Sequence, residues 1–200
     1  MTTVDAKKPE KARAEVRRRK ELIAATIAEI GASGSLDVTV GKIAARAGMS
    51  PALAFHYFGG KEALFLAAMR QILKDFGAEA ADALRGVTGA RARVRGIVAA
   101  SFSPHNFGHD SIAAWLNFYV LAQRSDGARR LLTLYRRRLA SNLCYALRPS
   151  LGDRAPGAAK RIACMIDGLY LHAALDDLTT AAEAQAHVLT QLDQEMEHST

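Results

Sequence analysis

The chain has 200 residues, of which 50% are hydrophobic and 24% charged, and this balance excludes an intrinsically disordered polypeptide. Lys and Arg outnumber Asp and Glu by 27 to 20, and the net charge of +7 suits a polyanionic partner such as nucleic acid or an anionic membrane surface. A solvated basic surface would carry the same charge, so charge alone does not decide the partner.

The predicted elements are helical from end to end. Ala and Leu are abundant and only 5 residues are Pro, which predicts an all-α protein. Residues 1–10 are polar and are predicted to form a flexible tail, residues 11–60 a helix-turn-helix domain, and residues 61–200 a larger C-terminal domain. Breakers and apolar periodicity predict nine helices, with a turn at Pro149, Ser150 and Gly152: residues 11–32, 40–47, 51–58, 61–85, 91–102, 111–123, 128–147, 156–175 and 180–197.

Four consecutive basic residues, 17–20, crowd one turn near the predicted start of the first helix. Positive charge at a helix N-terminus is unfavourable for the helix dipole, which suggests an anion nearby. Ordinary surface charge explains the run equally well.

Residues 39–58 have the pattern of a tight helix-turn-helix. Ile43 and Ala44 are expected in its small core, and Thr39 and Ser50 are good N-caps. The second helix leaves four positions that could enter a major groove: Pro51, Ala52, Phe55 and His56. A further set is placed to hold phosphates: Thr39, Lys42, Ser50, Tyr57 and Lys61.

This segment resembles the DNA-binding domain of the TetR family of transcriptional repressors. The residues that match the family pattern are Thr39, Ile43, Ala44, Ala47, Gly48, Ser50, Tyr57, Phe58, Lys61, Glu62 and Leu64, with Met49 in place of a Val. The resemblance implies a homodimer on a near-palindromic double-stranded operator, with the last two helices, residues 156–175 and 180–197, forming the dimer interface. Their apolar stripes fit that role or an intramolecular core: Ile162, Met165, Ile166, Leu169, Leu189, Leu192 and Met196.

The C-terminal domain carries an aromatic set. Trp115, Phe118 and Tyr119 share one helix face, and three other rings are grouped with them: Phe102, Tyr135 and Tyr170. These rings form either a packed core or a cage for a quaternary ammonium ion, which binds aromatic faces and a carboxylate. Asp110 and Asp167 are the candidate counter-charges, although either could instead cap a helix or lie at the surface.

The C-terminal motifs resemble the choline-responsive branch of the TetR family, which controls glycine betaine synthesis genes. The matching segments are residues 114–118, 137–143 and 166–175, with Tyr170 and His172 departing from the branch pattern. The resemblance implies choline as the inducer. A multidrug sensor that binds lipophilic cations is the alternative within the same fold.

Other classes are disfavoured by missing motifs. A Gly-rich phosphate loop, GxSxG and HExxH are missing, so neither an enzyme nor a cofactor is expected. Cys144 and Cys164 have no CxxC partner, and Pro104 and Gly108 interrupt the helix that His105 and His109 would need, so no metal site is expected. No apolar stretch reaches the roughly 18–20 residues of a membrane span, and we expect a cytoplasmic protein without a membrane partner.

Overall fold

The computed structural model describes residues 7–175 and 179–197, with side chains from residue 12 onward. Within those ranges the chain is all-α, as predicted, and no helix there is long and apolar enough to cross a membrane. The helices are α1 (Lys7–Ser33), α2 (Val40–Arg46), α3 (Pro51–Phe58), α4 (Lys61–Ala83), α5 (Ala90–Ser101), α6 (His109–Ala122), α7 (Asp126–Leu151), α8 (Ala155–Leu175) and α9 (Ala181–Glu197), with a 3-10 turn at Gly152–Arg154.

The first three helices form the predicted helix-turn-helix unit. Thr39 Oγ1 accepts a hydrogen bond from the Lys42 N–H at 3.2 Å, and Ser50 Oγ accepts one from the Leu53 N–H at 3.2 Å, so both N-caps are confirmed. Gly48 turns the chain between α2 and α3 with φ of +65°, a conformation that favours glycine. Ile43 is fully buried between these helices and α1.

The remaining helices pack around a second part of the same core. α4 leaves the helix-turn-helix unit and packs against α1, α5 and α7, while α8 lies along α7 and also contacts α6 and α9. The guanidinium of Arg161 on α8 donates two hydrogen bonds to the buried carboxylate of Glu195 on α9, at 2.5 and 2.7 Å. This bidentate pair joins the last two helices.

The start of the first helix differs from the prediction. α1 begins at Lys7, so residues 7–10 of the expected flexible tail are helical, while residues 1–6 lie outside the described residues. The basic run at residues 17–20 therefore lies well inside the helix, and the helix-dipole reason for an anion there is wrong. Arg17 and Arg19 instead pair with Glu21 and Glu15 on the same helix, at 3.6 and 3.4 Å.

The turn predicted at Pro149, Ser150 and Gly152 is wrong for its first two residues, because α7 continues to Leu151. A proline this close to the end of a helix removes one backbone hydrogen bond, and burial of Leu147 and Leu151 offsets that loss. The chain turns at Gly152, where the prediction is confirmed and φ is +51°.

Candidate functional site

The expected groove-reading face lies on the outside of α3. Pro51, Ala52, Phe55 and His56 are all exposed, and the Phe55 side chain is 50% exposed despite being large and apolar. Ala54 is buried on the opposite side of the helix and fixes its orientation. The face offers few hydrogen-bonding groups, so reading of DNA shape and apolar contacts to bases suit it better than a dense set of base-edge hydrogen bonds.

The expected phosphate-holding residues surround this face. Thr39, Lys42 and Ser50 are exposed, and Tyr57 and Lys61 are half-buried. The hydroxyl oxygens of Thr39 and Ser50 accept capping hydrogen bonds, which leaves their O–H groups as donors.

Sequence reasoning missed Arg19, which the fold places beside the recognition helix. Its guanidinium lies 5.6 Å from the ring centroid of Tyr57 and 5.3 Å from that of Phe58. These are cation–π distances, so Arg19 adds positive charge next to the expected phosphate contacts. Only the packing of α1 on α3 reveals this neighbour, because the two helices are far apart in sequence.

A cavity of about 340 Å³ opens between α6, α7 and α8, and we call it the effector cavity. Its volume lies in the roughly 300–1,000 Å³ range that is usual for small-molecule sites. The lining residues are Ile112, Trp115, Leu116, Tyr119, Arg136, Asp167, Gly168, Tyr170 and Leu171.

Aromatic rings form the inner wall of the effector cavity. The Trp115 ring centroid lies 6.2 Å from that of Tyr119 and 6.3 Å from that of Tyr170, and the Trp115 and Tyr170 planes are inclined by 75°. The Tyr170 hydroxyl donates to the backbone oxygens of Ser101 and, at 3.2 Å, Asn106. These hydrogen bonds to the end of α5 and the loop after it hold the ring in place against the cavity.

Two charged side chains line the cavity, the guanidinium of Arg136 and the carboxylate of Asp167, which is the negative one. This carboxylate is hydrogen-bonded by the Tyr119 hydroxyl, and one of its oxygens lies 3.9 Å from Arg136 Nε. Burial raises the pKa of Asp167, although the Tyr119 hydrogen bond and the Arg136 charge oppose that shift. Burial also raises the pKa of Tyr119 and Tyr170, so both phenols are neutral donors at physiological pH.

The structure divides the predicted ligand-binding set. Trp115, Tyr119, Asp167 and Tyr170 line the cavity, whereas Phe102 and Phe118 are buried in the core and Tyr135 lies behind the wall, 4.7 Å from the Trp115 ring. The remaining member, Asp110, is at the start of α6 and outside the lining.

Asp110 lies at a close contact between α6 and α1. Gly31 of α1 approaches it so tightly that a Cβ at residue 31 would lie 2.7 Å from the Asp110 Cα. Near the same contact, the side-chain amide of Asn117 on α6 donates to the Gly34 backbone oxygen at 3.2 Å. The helix that carries Trp115 and Tyr119 therefore touches the helix-turn-helix unit directly.

The apolar stripes of the last two helices face the chain's own core. Ile162, Ile166 and Leu192 are fully buried within one subunit, and the other stripe residues pack partly buried against them. The outward face of α8 instead presents Leu171 and Leu175, which are 46% and 75% exposed. The stripe residues that stay partly buried are the ones that an interface through these helices could still use: Met165, Leu169, Leu189 and Met196.

Two protein-family models match this chain, one in the helix-turn-helix part and one in the C-terminal domain. A model described as "BetI-type transcriptional repressor, C-terminal" matches residues 90–197, and one described as "Bacterial regulatory proteins, tetR family" matches residues 22–68. The chain belongs to the TetR family. It is a helix-turn-helix transcriptional repressor of the BetI type and, like its relatives, a regulator and not an enzyme. TetR regulators bind operator DNA and dimerise.

Curated relatives that match this chain over most of their length share one name. The HTH-type transcriptional regulator BetI of Brucella anthropi is 50% identical over 173 residues, which cover 86% of this chain and 89% of that protein. BetI of Rhizobium meliloti is 44% identical over 168 residues, covering 84% of this chain and 83% of that protein.

Solved structures share the TetR fold at low identity. A transcriptional regulator from Rhodococcus sp. Rha1 superposes with a TM-score of 0.81 at 21% identity, covering 90% of this chain and 96% of that one. A regulator from Saccharomonospora viridis, solved in complex with choline, gives a TM-score of 0.78 at 18% identity, covering 89% and 96%. At such identities these likenesses show the fold alone.

Proposed function

We propose that this repressor controls genes for the conversion of choline to glycine betaine and that choline, bound in the effector cavity, relieves the repression. The observation that carries the proposal is the partly buried carboxylate of Asp167 beside the rings of Trp115, Tyr119 and Tyr170. The names of the curated relatives and the choline complex of the Saccharomonospora viridis regulator support the same ligand.

The chemistry of the cavity suits a quaternary ammonium ion. Such a cation has no N–H to donate, so it is attracted to the faces of aromatic rings and to a nearby negative charge. The cavity supplies three rings and one carboxylate whose ionised form is disfavoured by burial. A bound cation would stabilise that ionised form, and the exposed Arg136 side chain would move towards solvent as the ligand takes its place.

Helix α6 would couple the effector cavity to the DNA-binding unit, because it contacts both. Trp115 and Tyr119 would contact choline, and the same helix touches α1 at Gly31 and the turn after it at Gly34. A ligand that displaces α6 would therefore displace the helix-turn-helix unit, provided that it binds the DNA-incompetent arrangement more tightly. A coupling free energy of about 1–3 kcal/mol is usual for such a switch.

In the DNA-bound state, the proposal assigns the exposed face of α3 to the major groove and the residues around it to phosphates. The groove residues are Pro51, Ala52, Phe55 and His56, and the phosphate residues are Thr39, Lys42, Ser50, Tyr57 and Lys61. Two subunits would join through the outward faces of α8 and α9, which places two copies of α3 in successive grooves.

A fluorescence titration with choline tests the proposal, because Trp115 is the sole tryptophan of the chain. We expect a saturable change in its emission with choline and little change with ethanolamine, whose ammonium is better solvated. A bulky cationic dye is titrated in parallel. A response to the dye without one to choline would replace the proposal with a multidrug sensor, and silence towards every ligand would refute the cavity as a cation site.

Two matched variants separate the candidate counter-charges. Asp167→Asn should weaken choline binding by about tenfold or more, because opposite unit charges about 4–5 Å apart attract by roughly 3–4 kcal/mol at an effective dielectric constant of about 20, and a tenfold loss needs only about 1.4 kcal/mol of that. Asp110→Asn removes the same charge outside the cavity and should leave choline affinity unchanged. Equal losses in both variants would contradict the role of Asp167.

The pH dependence of choline binding provides a second readout of the same carboxylate. Because burial raises the pKa of Asp167, its neutral form becomes populated at less acidic pH than for an ordinary aspartate. Choline affinity of the unaltered protein should therefore fall as pH is lowered from neutral into the acidic range, and Asp167→Asn should flatten that decline. A parallel decline in the variant would assign the pH dependence to another group.

A further inference from the structure

The N-terminal half of α1 extends beyond the part of the chain that matches the family model. The helix begins at Lys7, whereas the TetR match begins at residue 22. Residues 7–21, which we call the α1 extension, continue the first helix of the helix-turn-helix domain towards the N-terminus. At a rise of 1.5 Å per residue, a 15-residue helix is about 22 Å long.

The α1 extension is strongly basic where its side chains are described. Residues 12–21 contain Arg13 and the run 17–20 as bases, against Glu15 and Glu21 as acids. Arg13, Arg17 and Lys20 share one exposed face of the helix, opposite the side that Leu22 buries in the core. The Arg17–Glu21 pair is 3.6 Å long and exposed on both sides, so it competes weakly with another anion.

The direction of the α1 extension follows from two contacts. The C-terminal end of α1 packs on α6 of the effector domain at Gly31. Twelve residues earlier, Arg19 packs on the rings of Tyr57 and Phe58 at the end of the recognition helix. The extension therefore projects away from the effector domain and past α3, and Lys7 lies about 18 Å beyond Arg19 along the helix.

We propose that the α1 extension binds the phosphate backbone of DNA that flanks the half-site read by α3. The inference rests on the DNA-binding mode of the proposed function and adds to it a second, sequence-independent contact. Arginine and lysine side chains that neutralise phosphates release counterions, so each contact raises both the affinity and its salt dependence. An anionic membrane surface fits less well, because among residues 12–21 Val16 stands alone as a large apolar residue on the exposed side, whereas membrane-surface helices bury a broad apolar face.

The test compares duplexes of two lengths. A site is selected by the unaltered protein from a random-sequence duplex library and prepared both trimmed to the selected core and with about ten flanking base pairs on each side. Operator affinity is measured by fluorescence anisotropy at several salt concentrations. The variant is Arg13→Ala, Arg17→Ala, Lys20→Ala, in which alanine preserves the helix.

We expect the triple variant to make the negative slope of log affinity against log salt less steep by up to about five on the long duplex, because three charges are lost from each of two subunits and each neutralised phosphate contributes about 0.9 to the slope. On the trimmed duplex the variant and the unaltered protein should differ little. The matched control is Arg95→Ala, Arg137→Ala, Arg148→Ala, which removes the same charge from exposed positions on α5 and α7 and should leave the slope unchanged.

Each outcome has a distinct meaning. An unchanged slope in the triple variant on the long duplex would overturn the inference, with operator binding itself intact. An equal fall in the control triple would also overturn it, because net charge would then explain the effect. If the triple variant loses binding to vesicles with 30% anionic lipid while its DNA binding is unaltered, the α1 extension binds anionic membranes and not DNA. Failure of the library to yield any site for the unaltered protein would instead refute the proposed function.

Discussion

The contact between α1 and α6 makes Gly31→Ala the sharpest perturbation of this regulator. A Cβ at residue 31 would lie 2.2 Å from Asp110 Oδ1 and 2.7 Å from the Asp110 Cα. The side-chain oxygen can rotate away, but the Cα belongs to the backbone. The start of α6 must therefore retreat by about 0.7 Å before the new methyl group reaches the ordinary contact distance of 3.4 Å.

The magnitude follows from two opposing effects. Overpacking at a tight contact costs about 1–3 kcal/mol, and the Asn117 hydrogen bond to Gly34, worth about 0.5–1.5 kcal/mol, is strained with it. Replacing glycine by alanine inside a helix returns about 0.5–1 kcal/mol. We expect a net loss of about 1–2 kcal/mol, which lowers Tm by roughly 2–8 °C in a chain of this size.

Two measurements on Gly31→Ala test its effects on stability and on regulation. Thermal melts followed by circular dichroism give the stability change, and anisotropy titrations give operator affinity with and without choline. Gly31→Ala should narrow the difference between those two affinities, because the displaced α6 no longer transmits its position to α1. Gly77→Ala is the control, since a Cβ there meets nothing within 4 Å and alanine should slightly stabilise α4. If Gly31→Ala melts like the control and keeps the full choline effect, the contact does not couple the domains.

Two further predictions concern the DNA face and the last two helices. Tyr57→Ala and Lys61→Ala should each weaken operator binding several-fold without changing choline affinity, because Tyr57 is on α3, Lys61 begins α4, and neither lines the effector cavity. Anisotropy measures operator affinity and tryptophan fluorescence measures choline affinity, and unchanged operator affinity in both variants would contradict the assignment. Glu195→Gln should lower Tm at neutral pH. The hydrogen bonds from Arg161 hold the pKa of Glu195 below its ordinary 4.5. The stabilisation by this pair is therefore present above pH 4.5 and is lost as pH falls through the lowered pKa. A Tm difference between the variant and the unaltered protein that persists in strong acid would refute this.

Local rules made the helix-turn-helix predictable. The caps at Thr39 and Ser50, the proline at position 51 and the glycine turn at 48 act over three or four residues, so their spacing in the sequence is their spacing in space. Helix periodicity likewise located the helices of the described part of the chain, although the first began earlier and the seventh ended later than local signals indicated. In both cases the tertiary packing of the helix outweighed the local breaker or tail composition.

The chemistry of the effector domain depended on the fold. Asp110 and Asp167 were equivalent as candidate counter-charges, and only the packing of α6 against α7 and α8 places one in the cavity and the other against Gly31. The amino-acid sequence by itself determined the all-α class, the recognition helix and the residue types suited to a cation. Tertiary structure decided which of those residues meet, because contacts such as Arg19 with Tyr57 join helices whose relative orientation no local spacing encodes.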